Sequence, residues 1–406
     1  SADKQLKSKA RHALSYRAGV KLMQQFKNFF TELQEAFKQE LINTGRLNKT
    51  AIMLLLLMPF IYTIIFGYTY AANVLNDIPV AVCDLQQSKI SRTAIFNYDT
   101  SDRFNIVKHV NSLDELEACI KSGQAKVGLY IEPDLDKRIK TALPAEISIL
   151  IDATNVVYGS AALVAAEEIN MNLKVAGEQK ILERLSYYPD KALNVAYPAA
   201  ISLRILNNPT NSYTNFMLLG LVCNGIQISL YLYTADTFIK NRSRRWTFPT
   251  ALLLGKTLAI GITSLTSFIF CLWLAHTIFA VPLRAPWYEF LSLLAAFELL
   301  FITLGIFFAL AFGRAVNAIQ ETLLFIMPGL LYSGLSWPNE WIGSLPAYIR
   351  ALFPITYLAI PLRDLSLQGY SVLLNNNIIA LFTSAIILAL IDYVLLRYRL
   401  GREAAI

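Results

Sequence analysis

Residues 51–70 contain no charged side chain, and later runs at about 212–238, 250–281, 287–312, 318–336 and 376–396 are nearly as apolar. A hydrocarbon layer ~30 Å thick takes roughly 20 helical residues per crossing. Lipid also tolerates a crossing backbone only where its hydrogen bonds close within the segment. These runs therefore commit the chain to a polytopic α-helical membrane protein with six transmembrane helices. The composition agrees, with 55% hydrophobic and only 16% charged residues. Four scattered cysteines without a C-x-x-C pair, and three histidines, exclude a disulfide scaffold and a metal framework.

The first run, 51–72, carries Pro59 as a possible kink and Tyr62, Tyr68 and Tyr70 toward its far end. A signal peptide competes for this run, but fifty preceding residues far exceed the short charged segment of such a signal. The run is thus expected to be an uncleaved anchor. Before it, within 1–50, Leu22, Met23, Phe26, Phe29, Phe30, Leu33, Phe37 and Leu41 recur three and four residues apart. That period makes 20–42 an amphipathic helix whose apolar stripe could lie in the headgroup layer or against the bundle.

Residues 73–211 hold no run long enough to cross. Strand-like IPVAVCDL (78–85), FNIVKHV (104–110), AKVGLYI (125–131) and AEISILID (145–152) alternate with helical stretches at 88–98, 112–122 and 157–186. Such alternation predicts a small mixed α/β domain inserted between the first span and the rest, 212–406.

Charge sets the expected orientation. Residues 1–50 hold ten Lys/Arg against four Asp/Glu, whereas 71–208 hold fourteen against seventeen. Lys240, Arg242, Arg244, Arg245, Arg314, Arg397, Arg399 and Arg402 fall in loops or tails on the side of the N-terminus; the opposite short loops hold only Arg284, Arg350 and Arg363. The positive-inside rule then places both termini in the cytoplasm and 73–211 outside. A basic run can also bind nucleic acid, but here it leads directly into an apolar span and lacks flanking aromatics for stacking, so no nucleic-acid partner is expected. Trp337, Pro338, Trp341, Pro346, Phe353, Pro354, Tyr357 and Pro361 crowd the stretch 337–375. Short broken helices re-entering the outer leaflet, and a candidate exit region, are expected there.

Gly255-Lys256-Thr257 resembles the end of a phosphate-binding loop, but Thr250 stands where the motif needs its first glycine, and the segment opens a span. Lys256 is expected to snorkel to the interface. Glu298 falls near mid-span, where a charge costs at least ~2.5–3.5 kcal/mol, and so should face the bundle interior or water. It is read equally as a transport residue or as a packing residue. Asp236 and Asp392 are expected near the interface, pairing with Lys240 or Arg397. Cys83 and Cys119 fall on the same side and could bridge. No nucleophile triad, metal set or carboxylate pair emerges, so no catalytic residue is assigned.

Several strings in order carry a resemblance: IPVAVCDLQQSKISR (78–92), SLDELEACIKSGQAKVGLYIEPDL (112–135), ISILIDATN (147–155), NNPTNSYTNFMLLGL (207–221) and LFPITYLAIPLRDL (352–365). Together with one span, a large insert and five further spans, they resemble permease subunits of bacterial type-2 ATP-binding-cassette exporters. The resemblance implies a half-transporter pairing with a second copy or a paralogue, with ATP and Mg held by separate ATPase subunits. It places the ATPase contacts on the coupling loop 236–249, at Lys240, Arg242, Arg244, Arg245 and Trp246, and on the preceding amphipathic helix. Tyr213, Asn215 and Phe216, at the approach to the second span, join Glu298, Trp337, Trp341, Phe353 and Tyr357 as the expected transport pathway. The loop KNRSRRWTFP (240–249) departs from the acidic, Gly-Thr-containing form of many relatives, which bears on how coupling is made.

The function these features imply is export of hydrophobic or amphipathic molecules, drugs or lipids, from a bacterial inner membrane, with a periplasmic adaptor and outer-membrane channel as further possible partners. Two alternatives stay open: a proton-coupled carrier using Glu298, and a non-transporting scaffold or receptor.

Overall fold

The computed structural model describes residues 23–43, 49–71, 75–141, 146–184, 188–197, 204–240, 247–312, 326–335, 337 and 341–403. These form two compact units. One is residues 74–205; the other joins the segments before and after it.

In the helical unit, α1 (23–43) precedes α2, which runs unbroken through Lys49–Ile52, Met53–Leu57 and Met58–Tyr70. Its middle section is a π-helical turn, closed by the Met58 amide bonding to the Met53 carbonyl five residues back. Pro59 follows directly. A proline cannot donate to the preceding turn, and a wider turn is one way a helix absorbs that loss.

Within the α/β unit come β1 (Ile78–Asp84), α3 (Lys89–Asp99), β2 (Phe104–Val110), α4 (Leu113–Lys121), β3 (Val127–Ile131), α5 (Leu135–Lys140), β4 (Ile147–Ile151), α6 (Val156–Arg184) and α7 (Pro189–Ala196). The sheet order is β2-β1-β3-β4, with β1 parallel to both neighbours and β4 antiparallel to β3. Side chains alternate across it. Ile78, Val80 and Val82 join Tyr98, Val127 and Leu129 in the cluster that includes Ala162, Ala165 and Ala166 of α6. Ala81 and Cys83 face the other way onto Leu116 and Cys119. Each large side chain so buried contributes roughly 1.5–3 kcal/mol. Helix starts are set by side chains: Ser88 and Ser91 form a capping box on α3, and Ser112 caps α4. Cys83 and Cys119 are free thiols, so the possible bridge is not formed.

The helical unit continues with α8 (Tyr213–Lys240), α9 (Pro249–Phe279), α10 (Trp287–Phe312), α11 (326–332), α12 (Ser344–Arg350), α13 (Ile355–Leu367) and α14 (Leu374–Glu403). Among the described residues five helices are long and apolar enough to cross a membrane: α2, α8, α9, α10 and α14; counting the bent pair α12–α13 as one span would make six. The expected span 318–336 lies partly outside the described residues, α11 being its described portion. α12 and α13 meet at 88°, the broken form anticipated for 337–375.

α8 is the most deeply buried span; α2 and α14 leave most of their surface open. Close approach in lipid relies on small side chains. Gly225 of α8 shows this, since a Cβ there would sit 2.8 Å from the Tyr62 ring of α2. Tyr62 in turn receives a hydrogen bond from Asn224, whose carbonyl accepts one from Gln227.

Candidate functional site

α1 docks through a stripe four residues apart. Ala36 is fully buried and Glu40 is 1% exposed, and Glu32, one turn before Ala36, is half-buried. Beneath Ala36 lies Gly255 in the second turn of α9; a Cβ on Gly255 would come within 2.7 Å of both Ala36 Cβ and the Leu33 carbonyl oxygen. Glycine at 255 is what lets the two backbones touch.

The two carboxylates flanking this contact hold the two sides of the 236–249 loop. Glu32 accepts from the Thr247 and Phe248 amides at 3.2 and 2.9 Å, satisfying donors at the start of α9 that its own first turn leaves open. Phe29 packs edge-on against the Phe248 ring. Glu40 accepts from the Tyr233 hydroxyl of α8 at 2.6 Å and from Thr237 at 3.4 Å, and Lys256 Nζ of α9 lies 3.6 Å from its other oxygen. Lys256 also rests over the Phe238 ring at 4.9 Å. One helix is thereby fastened to the last turns of α8 and the first turns of α9.

This overturns the interfacial reading of Lys256, which is 5% exposed and ion-paired. The cause is Glu40, a carboxylate that the apolar periodicity of 20–42 left out of account. Gly255-Lys256-Thr257 lies inside α9, not in a loop. The apolar stripe of α1 is divided as well: Met23, Phe26, Phe30 and Leu41 are exposed while Leu33 and Phe37 pack inward. Lys240 ends α8; Arg242, Arg244, Arg245 and Trp246 lie outside the described residues.

The expected pathway residues fall into separate groups. The Tyr213 ring lies tilted against Tyr70 (5.1 Å) and Phe216 (6.1 Å), and the Arg363 guanidinium of α13 sits 4.6 Å over the Phe216 ring. Asn215 donates to Asn208. α13 is anchored near both its ends: Asn377 donates to the Tyr357 carbonyl, while Arg284 and Ala285, between α9 and α10, donate through their amides to the Ser366 and Leu365 carbonyls. Phe353 is buried and stacked on Tyr332 at 5.6 Å, and the Tyr357 hydroxyl donates to the Ala351 carbonyl. Trp337 and Trp341 meet edge-on at 5.9 Å and are exposed.

Glu298 of α10 is set apart from these, 2% exposed and accepting from Ser264 of α9 at 3.0 Å. Asp392 is a correction. It is 1% exposed and neither carboxyl oxygen has a hydrogen-bond partner among the described residues, so it is not paired with Arg397. Arg399 instead donates to the Ala311 carbonyl at the end of α10. Among the described residues no cluster of His, Cys, Asp or Glu could hold a metal ion.

One family model, described as ABC-2 family transporter protein, matches residues 49–394. The chain belongs to this ABC-2 transporter family. No curated protein matches it. As an ABC-2 permease component, the chain is a multi-pass membrane protein, and the family implies ATPase partner subunits. The family match begins at residue 49, so α1 and its two carboxylates lie outside the matched range. Their docking is a feature of this permease beyond the matched range.

Proposed function

We propose that this permease is the membrane half of an ATP-driven exporter in a bacterial cytoplasmic membrane, with both termini and the 236–249 loop inside and the α/β unit outside. Separate ATPase subunits, holding ATP and Mg, dock against that loop through Lys240, Arg242, Arg244, Arg245 and Trp246, and a second permease copy completes the bundle. The carrying observation is the double clamp of α1: Glu32 on Thr247 and Phe248, Glu40 on Tyr233 and Lys256. Displacement of the loop by an ATPase closing on ATP is passed through α1 to α8 and α9 as one body. This supports coupling even though the loop is short and basic.

The cargo is hydrophobic or amphipathic, a drug or a lipid, leaving past Tyr213, Phe216, Phe353 and Tyr357. An adaptor and outer-membrane channel would receive it beyond the α/β unit. Co-purification with candidate ATPases and stimulation of their ATP hydrolysis tests the assembly. Replacing Arg242, Arg244 and Arg245 together should abolish docking; intact docking in that variant rules out the loop as the joint.

A proton-coupled carrier is the second reading, favoured by Asp392, whose buried carboxyl oxygens both lack partners among the described residues. Transport that stops with a proton uncoupler while ATP stays high would select it.

A further inference from the structure

The two edges of the sheet in the α/β unit are built differently. β2 is guarded: Val80 pairs with Ile106 and Ala81 with Lys108, so Val107 is an extra bulged residue, and Lys108 and His109 beside it are exposed. A bulge and a lysine are standard protection for an exposed edge. β4 has neither. It is Ile-Ser-Ile-Leu-Ile, paired in unbroken register with β3, every residue half-buried, with no charge, proline or bulge. Beyond its ladder with β3, its backbone has no partner among the described residues.

We infer that β4 pairs antiparallel with β4 of a second copy of this chain, joining the two α/β units into one eight-stranded sheet. The strand is close to self-complementary. With a two-fold axis at Ile149, Ile147 faces Ile151 of the second copy, Ser148 faces Leu150, and Ile149 faces itself, as an isologous interface requires. Like side chains then share a face: Ile147, Ile149 and Ile151 belong to the α6 side of the sheet and Leu150 to the other.

Like charges meet at each end of the joint, with one lysine to offset them. Glu146 falls opposite Asp152 of the second copy, and that carboxylate is bound by Lys126 at 2.7 Å. Lys126 is thus placed between two carboxylates at each end of the joint. This inference rests on the two-copy arrangement proposed above and names the surface that arrangement uses.

The test uses the full chain in lipid nanodiscs, with mass measured by light scattering and cross-linking by mild oxidation. Directly opposed residues of an antiparallel pair hold their Cα atoms about 4.5–5.5 Å apart, within disulfide reach. Ile149→Cys should form a covalent dimer at least tenfold more efficiently than Val107→Cys on the guarded edge. Should Ile149→Cys fold poorly, differently tagged copies carrying Ser148→Cys and Leu150→Cys should cross-link with each other. A two-copy particle whose β4 cysteines link no better than Val107→Cys overturns this inference and leaves the permease pair standing. A single-copy particle overturns both. Linkage of Ile149→Cys to a different protein in native membranes, without self-linkage, replaces the second copy with a paralogue and overturns the proposal as stated.

Discussion

Glu40 and Lys256 lie 3.6 Å apart, 1% and 6% exposed at their side chains, and join the helix before the first span to the third span. Removing one partner of such a pair strands the other charge, which costs ~3–5 kcal/mol, whereas an apolar pair of similar volume is often neutral. Lys256→Met and Glu40→Leu should each lower thermal stability sharply. The double variant should recover most of the loss while losing ATPase stimulation. A double variant as unstable as either single one would show that the ion pair is not the linkage.

Glu32 acts on the backbone, and its effect should be local. Glu32→Ala removes the acceptor for two amides at the start of α9, with an expected cost of about 0.5–2 kcal/mol, in the range of lost helix caps. Hydrogen exchange at Thr247 and Phe248 should accelerate while exchange at Asn224 and Gln227 stays unchanged. Equal acceleration at both places would mean that the loop is not held by this side chain.

The helical unit was legible from apolar run length alone, and the α/β unit from its alternation of strands and helices, because both signals are local. The docking of α1 was not. Period 3.6 marks Met23, Phe26 and Phe30 as the buried face, but in a lipid-bathed protein exposed apolar residues are unremarkable, and the inward stripe runs through Glu32, Ala36 and Glu40. Lys256 and Asp392 were misread for a related reason: nothing near them in sequence states whether a partner exists. Lys256 has one 216 positions earlier in the chain, and Asp392 has none among the described residues.

Glu298 is held by one neutral donor, so its shape matters more to the fold than its charge. Glu298→Gln should preserve thermal stability and ATP-dependent transport. Ser264→Ala should cost about 1–3 kcal/mol by leaving a buried acceptor unsatisfied. Loss of transport in a well-folded Glu298→Gln protein would move Glu298 into the pathway proper.

Tyr98, buried on α3 with its hydroxyl donating to Asn170 of α6, gives the α/β unit an alkaline limit. Burial pushes its phenol up to about 12, above the ordinary value of about 10. Because the folded value is raised, the contribution is whole below pH ~10 and is lost as pH climbs through the folded value. Tyr98→Phe should remove that part of the alkaline stability loss and the latest phase of the phenolate absorbance titration. An unchanged absorbance profile would place Tyr98 among the freely titrating tyrosines.

The hydroxyl of Thr214 donates to the Tyr70 carbonyl at 2.5 Å, so the two helices between which the α/β unit is threaded already touch where that unit begins and ends. Helix hairpins with ends this close are commonly joined by about two to five residues. The insert is therefore an excisable cassette: joining residue 71 to residue 206 through such a tight loop should leave the bundle's connectivity undisturbed. Transport by a permease shortened in this way would separate what the bundle does from what its appendage adds.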